Sequence, residues 1–165
     1  MESNQTLELL SAMDRLRRAW KNASPGTSLN KSQFFTLMTL RNKGRQDFFP
    51  DCCNPGDSFE PMTLSELSKA MKQTMPAVSQ RIRNLEELGY VERTQDQNDR
   101  RTIWIRLTQQ GYDLLKETCH TMFERLNRVL ERVNQNGQNN AQQMIEAFHC
   151  LADAVQTEFE RDKSE

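Results

Sequence analysis

The side chains able to do chemistry in this sequence cluster between residues 74 and 101. Thr74, Pro76, Ser79, Gln80 and Arg83 fall in one predicted helix, and Arg93, Asp99, Arg100 and Arg101 in the strand-and-turn pattern that follows. Their chemistry is non-covalent recognition. A glutamine amide can pair with two edge groups of adenine in the DNA major groove, and an arginine with two acceptors of guanine. Ser79 and Thr74 are short enough to reach phosphates, which a helix N-terminus also attracts. An arginine at a hairpin tip suits a narrow minor groove, where negative potential is concentrated.

Covalent chemistry has no comparable set. The sequence shows no nucleophile–base–orienter group, phosphate loop or metal motif, so neither an enzyme nor a cofactor is expected. Cys52, Cys53, Cys119 and Cys150, with His120 and His149, match no zinc spacing. In a reducing compartment the four should be thiols, and no setting that would lower a thiol pKa is legible around them.

The elements that must hold the recognition set can be read from periodicity and caps. Leu9, Met13, Leu16 and Trp20 share one face of a helix predicted over 6–22, closed by Ser24-Pro25-Gly26. Asn30 and Gln33 form a capping box, with Leu29 and Phe34 as its hydrophobic staple. Phe34, Leu37, Met38 and Leu40 should turn to the core. Residues 42–61, rich in proline and glycine, read as a long loop that Phe48, Phe49 and Phe59 pack down.

Thr63 and Glu66 form a second box, with Met62 and Leu67 as staple, opening a short helix over Leu64–Met71. A turn at Lys72-Gln73 leads to Thr74, the expected cap of a helix that tolerates Pro76 in its first turn and runs to Leu88. Gly89 should close it in a left-handed conformation. On that helix Val78, Ile82 and Leu85 must face inward, which leaves Pro76, Ser79, Gln80 and Arg83 outward. Arg81 reads as a flanking residue or phosphate clamp.

Residues 90–94 and 102–107 alternate as strands around a polar turn, a hairpin. Thr108 caps the next helix, with Leu107 and Tyr112 as staple. Tyr112, Leu115, Cys119, Met122, Leu126, Val129 and Val133 then recur as a heptad seam. After a polar turn over 134–140, Ala141, Ile145, Phe148, Ala152, Val155 and Phe159 form one stripe of a last helix.

The fold class expected is mainly α with a small antiparallel hairpin: a winged helix-turn-helix core plus a helical dimerisation region. Residues 1–28 would be an N-terminal dimerisation helix, 29–111 the DNA-binding domain including the 42–61 loop, and 112–165 the C-terminal dimerisation helices. Leu9, Met13, Leu16, Leu126, Val129, Phe148, Val155 and Phe159 are the expected dimer contacts. Trp20, Phe34, Phe48 and Phe49 are the expected lining of a ligand cleft.

The formal charge of −1 argues against a protein that coats nucleic acid indiscriminately. It is unevenly spread: net +1 over residues 1–62, +2 over 63–107 and −4 over 108–165. No apolar run approaches the roughly 18 residues of a membrane span. The polar start Met1-Glu2-Ser3-Asn4-Gln5 leads us to expect no signal peptide and a cytoplasmic location.

Residues 29–112 resemble the winged-helix core of the MarR family of bacterial transcription regulators. The resemblance is carried by Leu29-Asn30-Lys31-Ser32-Gln33-Phe34, by Leu64-Ser65-Glu66-Leu67-Ser68, and by the run from Ala77 to Val91. Its most specific parts are Asp96-Gln97-Asn98-Asp99-Arg100-Arg101 and Leu107-Thr108-Gln109-Gln110-Gly111. The 42–61 loop is longer than the family pattern. The resemblance implies a homodimer through its first, fifth and sixth helices, with two recognition helices in successive major grooves of a pseudo-palindromic operator. It implies that Ser79, Gln80 and Arg83 contact bases or phosphates, that Arg101 enters the minor groove, and that Asp99 orients an arginine. It also implies release by a small, often aromatic, effector or by thiol oxidation. The function expected is a sequence-specific double-stranded DNA-binding regulator, a repressor released by a ligand or other signal. The alternative is a winged-helix protein–protein interaction module without specific DNA binding.

Overall fold

The structure, a computed structural model, describes residues 2–23, 25–43, 60–97, 99, 101–135 and 140–161. Helix α1 spans Glu2–Asn22 and α2 spans Lys31–Arg41. A two-residue strand β1, Met62–Thr63, precedes α3, Leu64–Ala70, and α4, Met75–Glu87. Strands β2, Val91–Gln95, and β3, Ile103–Leu107, are followed by α5, Gln109–Asn134, and α6, Asn140–Arg161. None of the described helices is long and apolar enough to cross a membrane.

Both predicted capping boxes form. The Gln33 amide donates to the Asn30 side chain at 2.9 Å and the Asn30 amide to the Gln33 side chain at 3.0 Å. The Thr63 amide donates to Glu66 at 2.8 Å, and the Glu66 amide to Thr63 Oγ1 at 3.2 Å. These bonds hold the Glu66 carboxyl below its usual value, chiefly through the Thr63 amide and then the Thr63 hydroxyl. Lys31 closes the other side of its loop by donating its ammonium to the carbonyls of Trp20 and Lys21 at the end of α1.

The wing is a three-stranded antiparallel sheet in the order β1-β3-β2, so the expected hairpin is incomplete as a description. Met62 pairs with Ile105 and Thr63 with Trp104 on one edge, while Val91 to Gln95 pair with Leu107 to Ile103 on the other. Two residues are too few to show a period, and Met62 and Thr63 were legible only as staple and cap. The strand also ends the expected 42–61 loop. Phe48, Phe49, Phe59, Cys52 and Cys53 lie outside the described residues.

The core joins these elements. Phe34, Leu37 and Met38 of α2, Leu67 of α3, Val78, Ile82 and Leu85 of α4, Ile105 of β3, and Leu115 and Cys119 of α5 are all buried. The heptad seam therefore divides. Its start belongs to the winged-helix core, whereas Val129, further along, is exposed. The described chain forms two compact units, Met1–Thr121 and Met122–Glu165.

Candidate nucleic-acid interface

Position on this surface is set by α4 and by how its two ends are tied. The helix before it, α3, ends with Lys72 in the left-handed region, φ 51°, where the Gln73 amide bonds the Ser68 carbonyl at 3.0 Å. Four residues, Met71 to Thr74, lie between the two helices. Thr74 is the N-cap residue by position, but its side chain makes no capping bond. That is a correction to the expected cap, and it leaves the Thr74 hydroxyl exposed at the helix entrance, one residue before Met75 and two before Pro76.

At the far end Gly89 has φ 75°, as predicted, and closes a doubly bonded cap. The Gly89 amide donates to the Glu86 carbonyl and the Tyr90 amide to the Leu85 carbonyl, each at 2.9 Å. The same corner starts α5. Thr108 donates its hydroxyl to the Gly89 carbonyl at 2.7 Å and accepts from the Gly111 amide at 3.0 Å, while its own amide donates to the Tyr90 carbonyl at 3.1 Å. A side-chain carbon on Gly111 would sit 2.0 Å from the Tyr90 carbonyl oxygen. Only glycine lets these two backbones approach so closely. End of α4, start of wing and start of α5 are one joint.

Amphipathicity fixes which face of α4 is outward. Val78, Ile82 and Leu85 are fully buried. Pro76, Gln80 and Arg83 are exposed and Ser79 is half-buried. The Gln80 amide donates to Asn84 Oδ1 at 3.1 Å on that outward face. Asn84 was not among the expected site residues; its spacing of one helical turn from Gln80 was the available signal.

Arg81 does not face outward. It donates to Thr36 Oγ1 at 3.2 Å and Gln73 Oε1 at 2.9 Å, tying α4 to α2 and to the turn. Burial holds its guanidinium below the ordinary arginine value. Arg81, expected as a flanking residue or phosphate clamp, is a brace, because an arginine beside the inward stripe reaches buried Thr36.

The wing is braced by carboxylates. Asp96 accepts from the Trp104 indole at 2.9 Å and from the Asp99 amide at 3.0 Å. Asp99 accepts from the Arg101 amide and the Thr102 hydroxyl, each at 3.0 Å. Asp99 therefore orients Arg101 through the backbone, not through the guanidinium. Among the described residues the Arg101 side chain meets no carboxylate, and it is exposed. Arg93, expected as a DNA contact, is half-buried and ion-paired with Glu86 at 2.7 Å, so it fastens β2 to α4. Arg106 pairs with Glu92 across the strands. Arg100 lies outside the described residues.

The expected ligand cleft does not assemble as drawn. Phe34 is a core residue, 1% exposed and packed edge-to-face on Phe35 with ring centres 5.6 Å apart. It was also expected to turn to the core, and its burial bears that role out. Trp20 is half-exposed on α1, and Phe48 and Phe49 fall outside the described residues. Among the described residues no cluster of three or more His, Cys, Asp or Glu side chains could hold a metal.

With this geometry in view, the comparisons with known proteins agree on one domain. The sequence model of the MarR family matches residues 57–103. That match covers β1, α3, α4 and β2, so the winged helix is similar to MarR-family domains. The chain is 27% identical to the HTH-type transcriptional regulator YwhA of Bacillus subtilis over 71 residues, covering 43% of this chain and 51% of YwhA. It is 23% identical to the transcriptional repressor MprA of Escherichia coli over 128 residues, covering 78% of this chain and 65% of MprA. The chain thus spans about half to two thirds of the length of these curated relatives. Streptococcus pneumoniae FabT, solved in complex with DNA, shares the fold with a TM-score of 0.56 at 17% identity, covering 97% of this chain and 99% of FabT.

Proposed function

We propose that this MarR-type chain is a homodimeric, sequence-specific regulator of transcription. It binds double-stranded DNA at a pseudo-palindromic operator, represses in that state, and leaves when a small molecule or other signal arrives. One observation carries the reading. The outward face of α4 offers Ser79, Gln80 and Arg83 beside a wing whose braced tip leaves the Arg101 side chain exposed, with no partner for its guanidinium among the described residues. Exposed groups of this kind match the donor and acceptor edges of base pairs and the phosphates around them. The names of MprA, a repressor, and of FabT in complex with DNA support it. Thr74 and Pro76 stand at the helix entrance for phosphate contact, and Arg93 and Asp99 act by holding the wing.

The proposed organisation keeps 1–28 and 112–165 for dimerisation and 29–111 for DNA. Leu9, Met13 and Leu16 of α1 are between 43% and 50% exposed, and Val129, Phe148 and Val155 of α5 and α6 between 42% and 51%. Apolar side chains in such numbers call for a covering surface, and a second copy supplies one by symmetry. Leu126 is half-buried, and the side chain of Phe159 lies outside the described residues. The site of action is the cytoplasm, and a small aromatic molecule is the proposed effector class.

Anisotropy with a duplex selected from a randomised pool tests this reading. Affinity should fall steeply with salt, as counterions are released from phosphates. Arg83→Ala should cost about 1–3 kcal/mol and relax preference at one or two base pairs. Unchanged affinity would remove Arg83 from the reading face, and negligible, salt-insensitive binding would favour a protein partner on the same surface.

A further inference from the structure

The hydrogen bond between Gln80 and Asn84 has a direction, and on the DNA-binding reading above that direction selects a base. Gln80 Nε2 is the donor and Asn84 Oδ1 the acceptor, 3.1 Å apart, with both side chains exposed. Neither side chain bonds any other described residue. A carboxamide nitrogen carries two hydrogens and its oxygen two lone pairs. With one hydrogen given to Asn84, Oε1 and the other N–H are left for a partner, and they share one edge when the hydrogen given is the one anti to Oε1. An acceptor next to a donor complements adenine, which shows its N6 amino donor beside its N7 acceptor in the major groove. A bond running the other way, from Asn84 to Gln80 Oε1, would turn the Gln80 amino group outward with both hydrogens free. That edge suits guanine, whose O6 and N7 both accept.

We propose that Asn84 is a positioning residue that commits Gln80 to adenine. It holds the amide in the reading orientation before DNA arrives, so less side-chain freedom is lost on binding. Its spacing of one turn keeps it on the same face. Arg83, one residue before Asn84, makes no bond to either amide, so its own contact is separate from this pair.

Selection of the full chain and its variants against a duplex library with a randomised core tests the proposal. Wild-type protein should enrich adenine at one position per half-site, and Gln80→Ala should erase that position. Asn84→Ala should reduce the adenine preference there by about tenfold. Asn84→Asp keeps the acceptor, so it should keep the preference while its charge weakens binding to every duplex alike. Full adenine preference in Asn84→Ala overturns the proposal, as does guanine at the position that Gln80→Ala erases. A wild-type protein that holds no duplex at low salt overturns the DNA-binding reading itself. Wild-type binding with an Asn84-independent adenine preference overturns only the role of Asn84.

Discussion

The winged helix and the terminal helices handle their large apolar side chains in opposite ways. From α2 to the start of α5 the inward stripes are sealed: Leu37, Leu67, Val78, Ile82, Leu85 and Ile105 have no exposed surface. Along α1 and along α6 the stripes are open, with Leu16 50% and Phe148 49% exposed. The first region closes its core within one chain, so its outward polar residues are left for another use. The second leaves apolar surface at a cost of roughly 25 cal/mol for each Å² kept in water, which association removes. The difference teaches that α4 and the wing are finished parts, whereas the ends keep apolar surface that the proposed dimer would cover.

The sharpest way to break the finished region is at its joint. Gly111→Ala places a carbon 2.0 Å from the Tyr90 carbonyl oxygen, a contact with backbone that cannot swing away. Helix propensity alone would favour alanine by about 1 kcal/mol. We expect the reverse, a loss of about 4 kcal/mol or more, read from the urea midpoint of the full chain. An unchanged or raised midpoint would show that the joint yields. The open region is tested without touching that joint. Leu16→Glu and Phe148→Glu each put a charge on an exposed apolar stripe, and sedimentation should show the dimer giving way to single subunits. Persistence of the dimer in both variants would move the interface elsewhere.

The smallest expected effect sharpens the picture at the start of α3. Because folding lowers the Glu66 pKa, the unfolded chain takes up the proton first as pH falls. The stabilisation is complete above the usual glutamate value of 4.5 and disappears as pH drops through the lower folded value. Glu66→Ala should thus cost about 1 kcal/mol at neutral pH, and the gap to wild type should shrink in acid. A gap that stays constant down to that range would mean that the carboxylate bonds to Thr63 contribute little.

Local codes were legible and distant ones were not. Asn30 with Gln33, Thr63 with Glu66, Gly89 and Thr108 announce helix ends within a few residues, and each holds. The α4 stripe gave both its inward and outward faces from period alone. Arg81 was misplaced because its partner Thr36 lies 45 residues away, where no local pattern reaches. Arg93 was assigned outward because a cation in a strand reveals nothing of the Glu86 that receives it. The wing acids showed the same limit: their number was plain, but their aim at Trp104 and at backbone amides comes only with the folded turn. Phe34 was expected both in the core and in a ligand cleft, and packing granted the core.

The joint at Gly89, Tyr90, Thr108 and Gly111 is made of main-chain groups, one hydroxyl and a missing side chain. None of its parts lies on the outward face of α4. The scaffold is therefore indifferent to the letters written there. Exchanging Ser79, Gln80, Arg83 and Asn84 as a block should rewrite target preference while the frame that displays them stays intact, which makes the domain a natural chassis for altered specificity.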